Sequence, residues 1–544
     1  MVCGNSPRPW PQLLAAFRVS ALDDPSTIVP DLPGKAPAKS PGFAATVSRN
    51  IVASLARVFA VSLVALVLPA YLTHHLPVTT YAAWVLILQL GAYVSYLDLG
   101  IQTGVSKFVA EYDARGDLAG AGRHASAGLA LMLFAGTLGI AITLALAWQV
   151  PRLFRSMPAG LYHDVRIGVI LVGSSLSFGL ICAVYSAVFL GLQRYWIPMS
   201  ISILNRASFA AIVIVVVAFR GNLTAMGIAV ALVNVATGFL QILAWRNRAS
   251  HIRVSPRFVD VRVLKTMARY CSLQSIWTGA MLCITGFDVA IVGHYDYLQT
   301  AYYSIATLPT SFVLLILSSA VSPLMPASSA LSTQRTAAQM GDFLVRITRY
   351  STLILLLTGL PVIFCGFQLL RVWVGPEYAL HTVRYLQILV FANIVRNLCI
   401  PYATMVSATG RQGAATAAAV SEALVNLSSS IYLASRFGAV GVALGTVLGS
   451  FVSVALHFAI SMRLTHETLA ASRSRLLFEG MLQPAIIAVP SLALFLFAGW
   501  HVPMLFNLLP LFLWGIATLL LAWFAGLTAS ERNALLRHNP VRAL

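Results

Sequence analysis

Fourteen stretches of this chain read as membrane spans: 51–73, 80–98, 126–149, 167–190, 197–219, 224–244, 271–294, 300–324, 350–371, 385–407, 412–434, 438–462, 481–499 and 503–526. Each approaches the length of about 20 mainly apolar residues that carries an α-helix across a bilayer. In lipid every backbone N–H and C=O must be satisfied within the protein, which leaves helices or closed barrels. Apolar runs of this length are helical, so the chain is expected to be an all-α polytopic membrane protein. Composition agrees: 58% of the 544 residues are hydrophobic and only 10% are charged, too few to cover a water-soluble surface. The spans 126–149 and 167–190 carry no charge, whereas 271–294 and 412–434 are rich in Ser, Thr and Ala and hold an acid each. Polar helices of that kind face other helices or a water-filled cavity.

The net charge of +19 then becomes a test of topology. Cytoplasmic loops hold an excess of Lys and Arg. With the N-terminus assigned to the cytoplasm, 26 of the 36 basic residues fall on that face, seven on the other and three within spans. A multi-pass protein of a bacterial inner (plasma) membrane with both termini cytoplasmic is expected. The densest cluster is Arg246, Arg248, Arg253, Arg257, Arg262, Lys265 and Arg269. It reads as a linker facing anionic membrane lipid rather than as a nucleic-acid surface, and no nucleic-acid partner is expected.

Spans 1–6 and 7–12 look like two copies of one unit. Leu153-Phe-Arg155 matches Leu369-Leu-Arg371 at an offset of 216, Arg194 matches Arg411 at 217, and Gly227-Ile-Ala-Val-Ala matches Gly441-Val-Ala-Leu-Gly at 214. An even number of spans per copy makes this a parallel repeat, with a cavity expected between the halves. The expected organisation is a disordered cytoplasmic tail at 1–45, a six-helix bundle at 46–245, a basic cytoplasmic linker at 246–270, and a second six-helix bundle at 271–463. A cytoplasmic loop at 464–480, two accessory helices at 481–526 and a cytoplasmic tail at 527–544 complete the chain.

Three Arg break the charge pattern, and an intramembrane ionisable residue is a functional candidate by default. Arg396 lies eleven residues from either end of its span, roughly 16 Å of helix. Arg206 is nine residues inside its own span, and Arg57 is six residues from an end, where snorkelling competes with function. Polar neighbours share their faces: Asn393, Arg396, Asn397 and Thr404, with Pro401 as an expected kink, and Ser202, Asn205 and Arg206. Glu422, Asn426 and Ser429 form a third stripe, and Gln274, Thr278, Met281, Thr285 and Asp288 a fourth. Four such stripes suit one hydrated cavity whose guanidinium groups favour an anion, phosphate above all. Arg206, Arg396, Asn205, Asn393, Asn397, Asn426 and Arg57 are the candidate substrate contacts. Asp288 and Glu422 are the candidate sites for a coupling proton or sodium ion. The alternative is that either acid simply neutralises an Arg as a buried pair.

Other chemistry has little support. Six Cys are scattered without CxxC spacing and the eleven His show no HExxH pattern, so the Cys read as small buried hydrophobes and no metal or cofactor is expected. Residues 1–50 are Pro-, Ala- and Ser-rich and lack the apolar core of a cleavable signal. An enzyme acting on lipid-linked sugars would usually carry catalytic groups on a large outer loop, and the longest here, 150–166, has one acid, Asp164.

Tyr96-Leu-Asp-Leu-Gly100, Phe108-Val-Ala-Glu and Arg115-Gly-Asp117 resemble a region of bacterial polysaccharide-biosynthesis proteins. Phe287-Asp-Val-Ala-Ile-Val-Gly293, Ala301-Tyr-Tyr-Ser-Ile, Val372-Trp-Val-Gly-Pro-Glu-Tyr378 and Gly438-Ala-Val-Gly-Val-Ala-Leu-Gly-Thr446 do the same. These are the oligosaccharide-lipid flippases of the multidrug/oligosaccharidyl-lipid/polysaccharide exporter superfamily. The resemblance covers about residues 45–526. It implies a flippase that moves undecaprenyl-pyrophosphate-linked oligosaccharide units for lipopolysaccharide O-antigen or exopolysaccharide. Two rocking bundles would provide alternating access, with a polysaccharide polymerase and assembly proteins as partners. In such a protein Arg206 and Arg396 fit a cationic cavity, and Asp288 stands where the family often has an acid. A multidrug exporter and a peptidoglycan-precursor flippase of the same superfamily are the alternatives. The first is expected to have twelve helices and an acid-lined cavity, while the second shares the fourteen-helix plan and a cationic cavity.

Overall fold

The computed structural model describes residues 41–322, 324–486, 488, 516 and 520. The two accessory spans and the C-terminal tail therefore lie almost wholly outside the described residues, as does most of the N-terminal tail. Residues 1–49 form a unit of their own, and its described part, from Pro41, is helical.

The protein is all-α and multi-pass, with twelve helical stretches among the described residues long and apolar enough to cross a membrane. The first half comprises α1 (Pro41–His75), α2 (Val78–Ala92), α3 (Ile101–Ala114), α4 (Leu118–Leu153), α5 (Tyr162–Gly191), α6 (Trp196–Ala218) and α7 (Leu223–Arg248). The second comprises α8 (Val261–Met281), α9 (Asp288–Tyr295), α10 (Gln299–Val321), α11 (Leu324–Ser332), α12 (Ala337–Phe364), α13 (Gly366–Val374), α14 (Pro376–Asn397), α15 (Ile400–Ala408), α16 (Gln412–Phe437) and α17 (Ala439–Leu456).

Local sequence explains many of the boundaries. Asp117 accepts a hydrogen bond from the Gly120 amide at 2.7 Å and opens α4, and Asn222 does the same for Ala225 at 2.9 Å and opens α7. Thr336 and Gln339 form a reciprocal capping box before α12. The second span bends where a 3₁₀ turn, Tyr93–Asp98, meets two left-handed residues, Leu99 and Gly100. The tenth is interrupted between α14 and α15 just before Pro401, the expected kink. In α17, Gly441, Gly445 and Gly449 let the helix lie directly on α16. A Cβ on Gly445 would fall 2.6 Å from the Ser430 backbone, the close approach that small residues permit between membrane helices.

Helices extend from both sides into the basic linker expected at 246–270. Helix α7 runs to Arg248 and α8 starts at Val261, which leaves a strap of residues 249–260. Ala249, Ile252 and Val254 are buried in the core of the first half, while His251, Arg253 and Arg257 point outward. The loop expected at 464–480 likewise contains helical turns, Arg473–Arg475 and the start of a π-helical segment, Leu476–Leu482.

The packing differs between the two ends of the bundle. On the face opposite the strap, one core joins the halves and includes Leu72, Trp84 and Phe154 from the first with Tyr297, Tyr303 and Tyr378 from the second. On the strap face there are two further cores, one around Val105, Met132 and Phe189 that also takes in Met267 and Cys271 of α8, and the other around Leu317, Leu344 and Met405. The core opposite the strap thus draws on several helices of both halves, whereas on the strap face α8 carries the second half's contact with the first.

Candidate functional site

In the first half, α1 and α6 bring two guanidinium groups together. The Arg57 side chain donates through Nε to the Ser202 hydroxyl at 3.3 Å. Ser202 lies one helical turn before Arg206, and the two like charges act on one another. Both Arg are exposed on the protein, and among the described residues neither has a carboxylate within ion-pair distance. Asn205, one position away, points elsewhere. Its amide donates to Thr237 at 2.8 Å, within a chain that continues from Asn234 to Ser175 at 3.0 Å. It ties α6 to α7 and α5 rather than standing beside Arg206.

The second half holds a buried polar cluster. Arg396 donates through Nε to Glu422 at 2.5 Å, joining α14 to α16, and the Glu422 side chain is only 5% exposed. Asp288, at the start of α9, is buried and accepts from the Tyr303 hydroxyl of α10 at 3.4 Å. The Arg396 guanidinium acts electrostatically on this carboxyl as well. Asn426, Ser430 and Thr446 are buried alongside, and the Ser430 hydroxyl donates to the Asn426 carbonyl at 3.4 Å. Three polar atoms of the cluster find no partner among the described residues: Asp288 Oδ1, Arg396 Nη2 and Asn426 Nδ2. Two carboxyls face one guanidinium, so with all three ionised one negative charge is left uncompensated. Buried charge of that kind is costly unless a cation or proton joins it.

Arg396 therefore stands with Asp288 and Glu422, and the first-half pair is Arg57 with Arg206. Asn393 and Asn397 donate back to carbonyls of their own helix, Leu389 at 3.0 Å and Asn393 at 2.7 Å, and leave the ion pair to Arg396. Among the described residues no set of three or more His, Cys, Asp or Glu comes together as a metal site.

The stripe read along residues 274–288 does not survive intact. Between α8 and α9 the backbone passes through a π-helical segment, Leu282–Gly286. A π turn inserts one residue and so rotates the residues beyond it by about 100°. Gln274 and Thr285 remain exposed while Asp288 is turned into the interior. The sequence alone does not single out Tyr303 for this role, although it sits in the Ala301-Tyr-Tyr-Ser-Ile motif. Gln89 escapes the same reading. It is the polar exception in the apolar run from Val85 to Val94, and its amide reaches across to the Gly286 carbonyl at 2.7 Å.

Hydrogen bonds reinforce the fused end. The Tyr297 amide, which precedes α10, donates to the Ser156 hydroxyl at 3.2 Å. His294 Nδ1 lies 2.5 Å from the Leu153 carbonyl, and the Trp373 indole donates to the Leu66 carbonyl at 2.7 Å. Each of these contacts links one half to the other.

No family model matches the chain, and no curated protein matches it in sequence. Solved structures do match. The lipid II flippase MurJ in an inward closed conformation aligns with a TM-score of 0.68 at 12% identity, covering 90% of this chain and all (100%) of that one. A multidrug resistance MATE family transporter of the MOP superfamily, inward-facing, aligns with a TM-score of 0.63 at 14% identity, covering 74% and 94%. An outward-facing structure of such a transporter aligns with a TM-score of 0.52 at 15% identity, covering 77% and 95%. At these identities what is shared is the fold.

Proposed function

We propose that this protein is an inner-membrane flippase that carries an undecaprenyl-pyrophosphate-linked oligosaccharide unit to the outer leaflet for surface polysaccharide synthesis. In this reading the pyrophosphate enters from the strap face, which is cytoplasmic, and is held by Arg57 and Arg206. A proton or sodium ion occupies the Asp288–Glu422 cluster in the other half and couples its own movement to the rocking of the bundles. The observation that carries the reading is the separation of charge. One half presents two guanidinium groups without a carboxylate partner among the described residues, and the other buries two carboxyls around one guanidinium. A doubly charged anion and a small cation suit the two sites respectively.

The peptidoglycan-precursor flippase is the second reading, favoured by the full coverage of the lipid II flippase. Both substrates carry a lipid pyrophosphate, so the sugar decides between them. A multidrug exporter taking cationic compounds is poorly served by paired Arg side chains. The test is to reconstitute the full chain in vesicles and follow flipping of an undecaprenyl-pyrophosphate oligosaccharide and of lipid II in parallel. Flipping of the oligosaccharide with little movement of lipid II supports the first reading. The reverse supports the second, and movement of neither sinks both.

A further inference from the structure

The cluster around Asp288 belongs to the second half, yet three residues of the first half grip the segment that sets its position. Gln89, Tyr93 and Tyr96 are spaced i, i+4 and i+7, a single face of the second span. All three meet the π-helical segment or the residue after it. Gln89 Nε2 donates to the Gly286 carbonyl at 2.7 Å. The Tyr93 ring meets the Phe287 ring edge-on at 5.5 Å. The Tyr96 hydroxyl lies so close to Gly286 that a Cβ there would stand 3.2 Å from it and 2.6 Å from Leu282 Cδ1. Asp288 is the next residue but one.

Two features make this more than packing. A break in helical hydrogen bonding frees carbonyls from the i, i+4 ladder, and such a group seeks an outside donor. A Gln in an otherwise apolar run is costly unless its amide is bonded, and here it bonds to that carbonyl across 197 residues of sequence. We propose that Gln89 is a positioning residue for the Asp288 site. It holds the π segment in the register that turns the carboxyl inward, and so makes cation binding in the second half depend on the first half being in place. This rests on the reading of Asp288 as the coupling-ion site. It adds the element through which the ion reports to the opposite bundle.

The experiment measures protection of the purified full chain from thermal unfolding in two titrations. One replaces choline by sodium at fixed pH, and the other lowers pH from about 8 to about 6 without sodium. Among the described residues the titratable and charged groups around Asp288 are Tyr93, Tyr96, Tyr303 and Arg396, with Glu422 on the far side of Arg396. Gln89→Met keeps the volume and removes the donor. It should raise the midpoint of whichever titration protects the wild type about 5-fold, the equivalent of one buried hydrogen bond. Gly286→Ala, whose Cβ would press on Leu282 and Tyr96, should shift the same midpoint, and the two changes should not add. Asp288→Asn should abolish protection. A wild-type midpoint in Gln89→Met, with protection lost in Asp288→Asn, overturns the positioning role and leaves the ion site standing. Protection that persists in Asp288→Asn, or is absent from the wild type in both titrations, removes the ion site and this inference with it.

Discussion

The Tyr297 hydroxyl of the second half donates to the Thr79 carbonyl of the first at 2.6 Å, within the core that fuses the two bundles. Tyr297 is 1% exposed, so the bond is shielded from competing water. It closes the end of the seam that lies away from the strap, and the seam can open there only when the bond breaks.

Tyr297→Phe should therefore loosen that end. Loss of this donor at the Thr79 carbonyl shifts the balance toward the opened state by about 1 kcal/mol, or about 5-fold in population. Ala301 is fully buried in the same core, so a cysteine placed there in a background lacking native cysteines reacts with thiol reagents only on opening. Equal labelling rates with Tyr and Phe would show that the bond adds nothing to closure.

Removing one partner of the Arg396–Glu422 pair strands a buried charge. Arg396→Ala should cost about 3–5 kcal/mol of stability, whereas Arg396→Met combined with Glu422→Leu should cost less than either single loss. A double-mutant cycle by unfolding in detergent measures the difference. Transport separates structure from function: a double variant that is stable but inert assigns the pair a working role, and one that still transports reduces it to a structural bridge.

Arg57→Gln and Arg206→Gln should each weaken binding of an undecaprenyl-pyrophosphate lipid by about 10-fold, as expected for a lost charge-assisted contact. Neither should alter insertion or thermal stability much, because neither side chain is buried. Titration of the lipid into purified protein gives the affinities, and an unchanged value for both places the pyrophosphate elsewhere.

Gly445→Val should destabilise the α16–α17 pair by about 1–3 kcal/mol through overpacking against Ser430. Gly413→Val, at a position where a Cβ meets nothing within 4 Å, serves as the control and should be near neutral by the same measure. Equal losses at the two sites would mean that helix propensity rather than contact governs both.

Twelve of the spans, and the Arg that break the charge pattern, are legible in the sequence because each depends on local composition or on its contrast with neighbours. Pro401 announces its own kink through the missing amide. Partnership across helices is less accessible. Asn205 and Arg206 are adjacent in sequence, and only the packing of α6 against α7 shows that Asn205 serves a hydrogen-bond chain. Arg396 reads as a companion of Arg206 because both are deep, yet Glu422 on the neighbouring helix claims it. The π segment is invisible to a search for helical period, since its single extra residue keeps the composition and shifts only the phase. Gln89 carries a signal, a lone amide in an apolar span, but its partner lies far along the chain.

The strap also bears on the order in which the protein is made. Ala249, Ile252 and Val254 complete the strap-side core of the first half, and Met267 and Cys271 join them. Everything that core needs is translated before Asp288, Arg396 or Glu422. The first bundle can thus settle its membrane topology and its interior as a finished template, and the second assembles against it. A defect in the strap should accordingly surface during biogenesis, as nascent chains degraded before the second bundle is built, rather than as lowered activity of the finished protein.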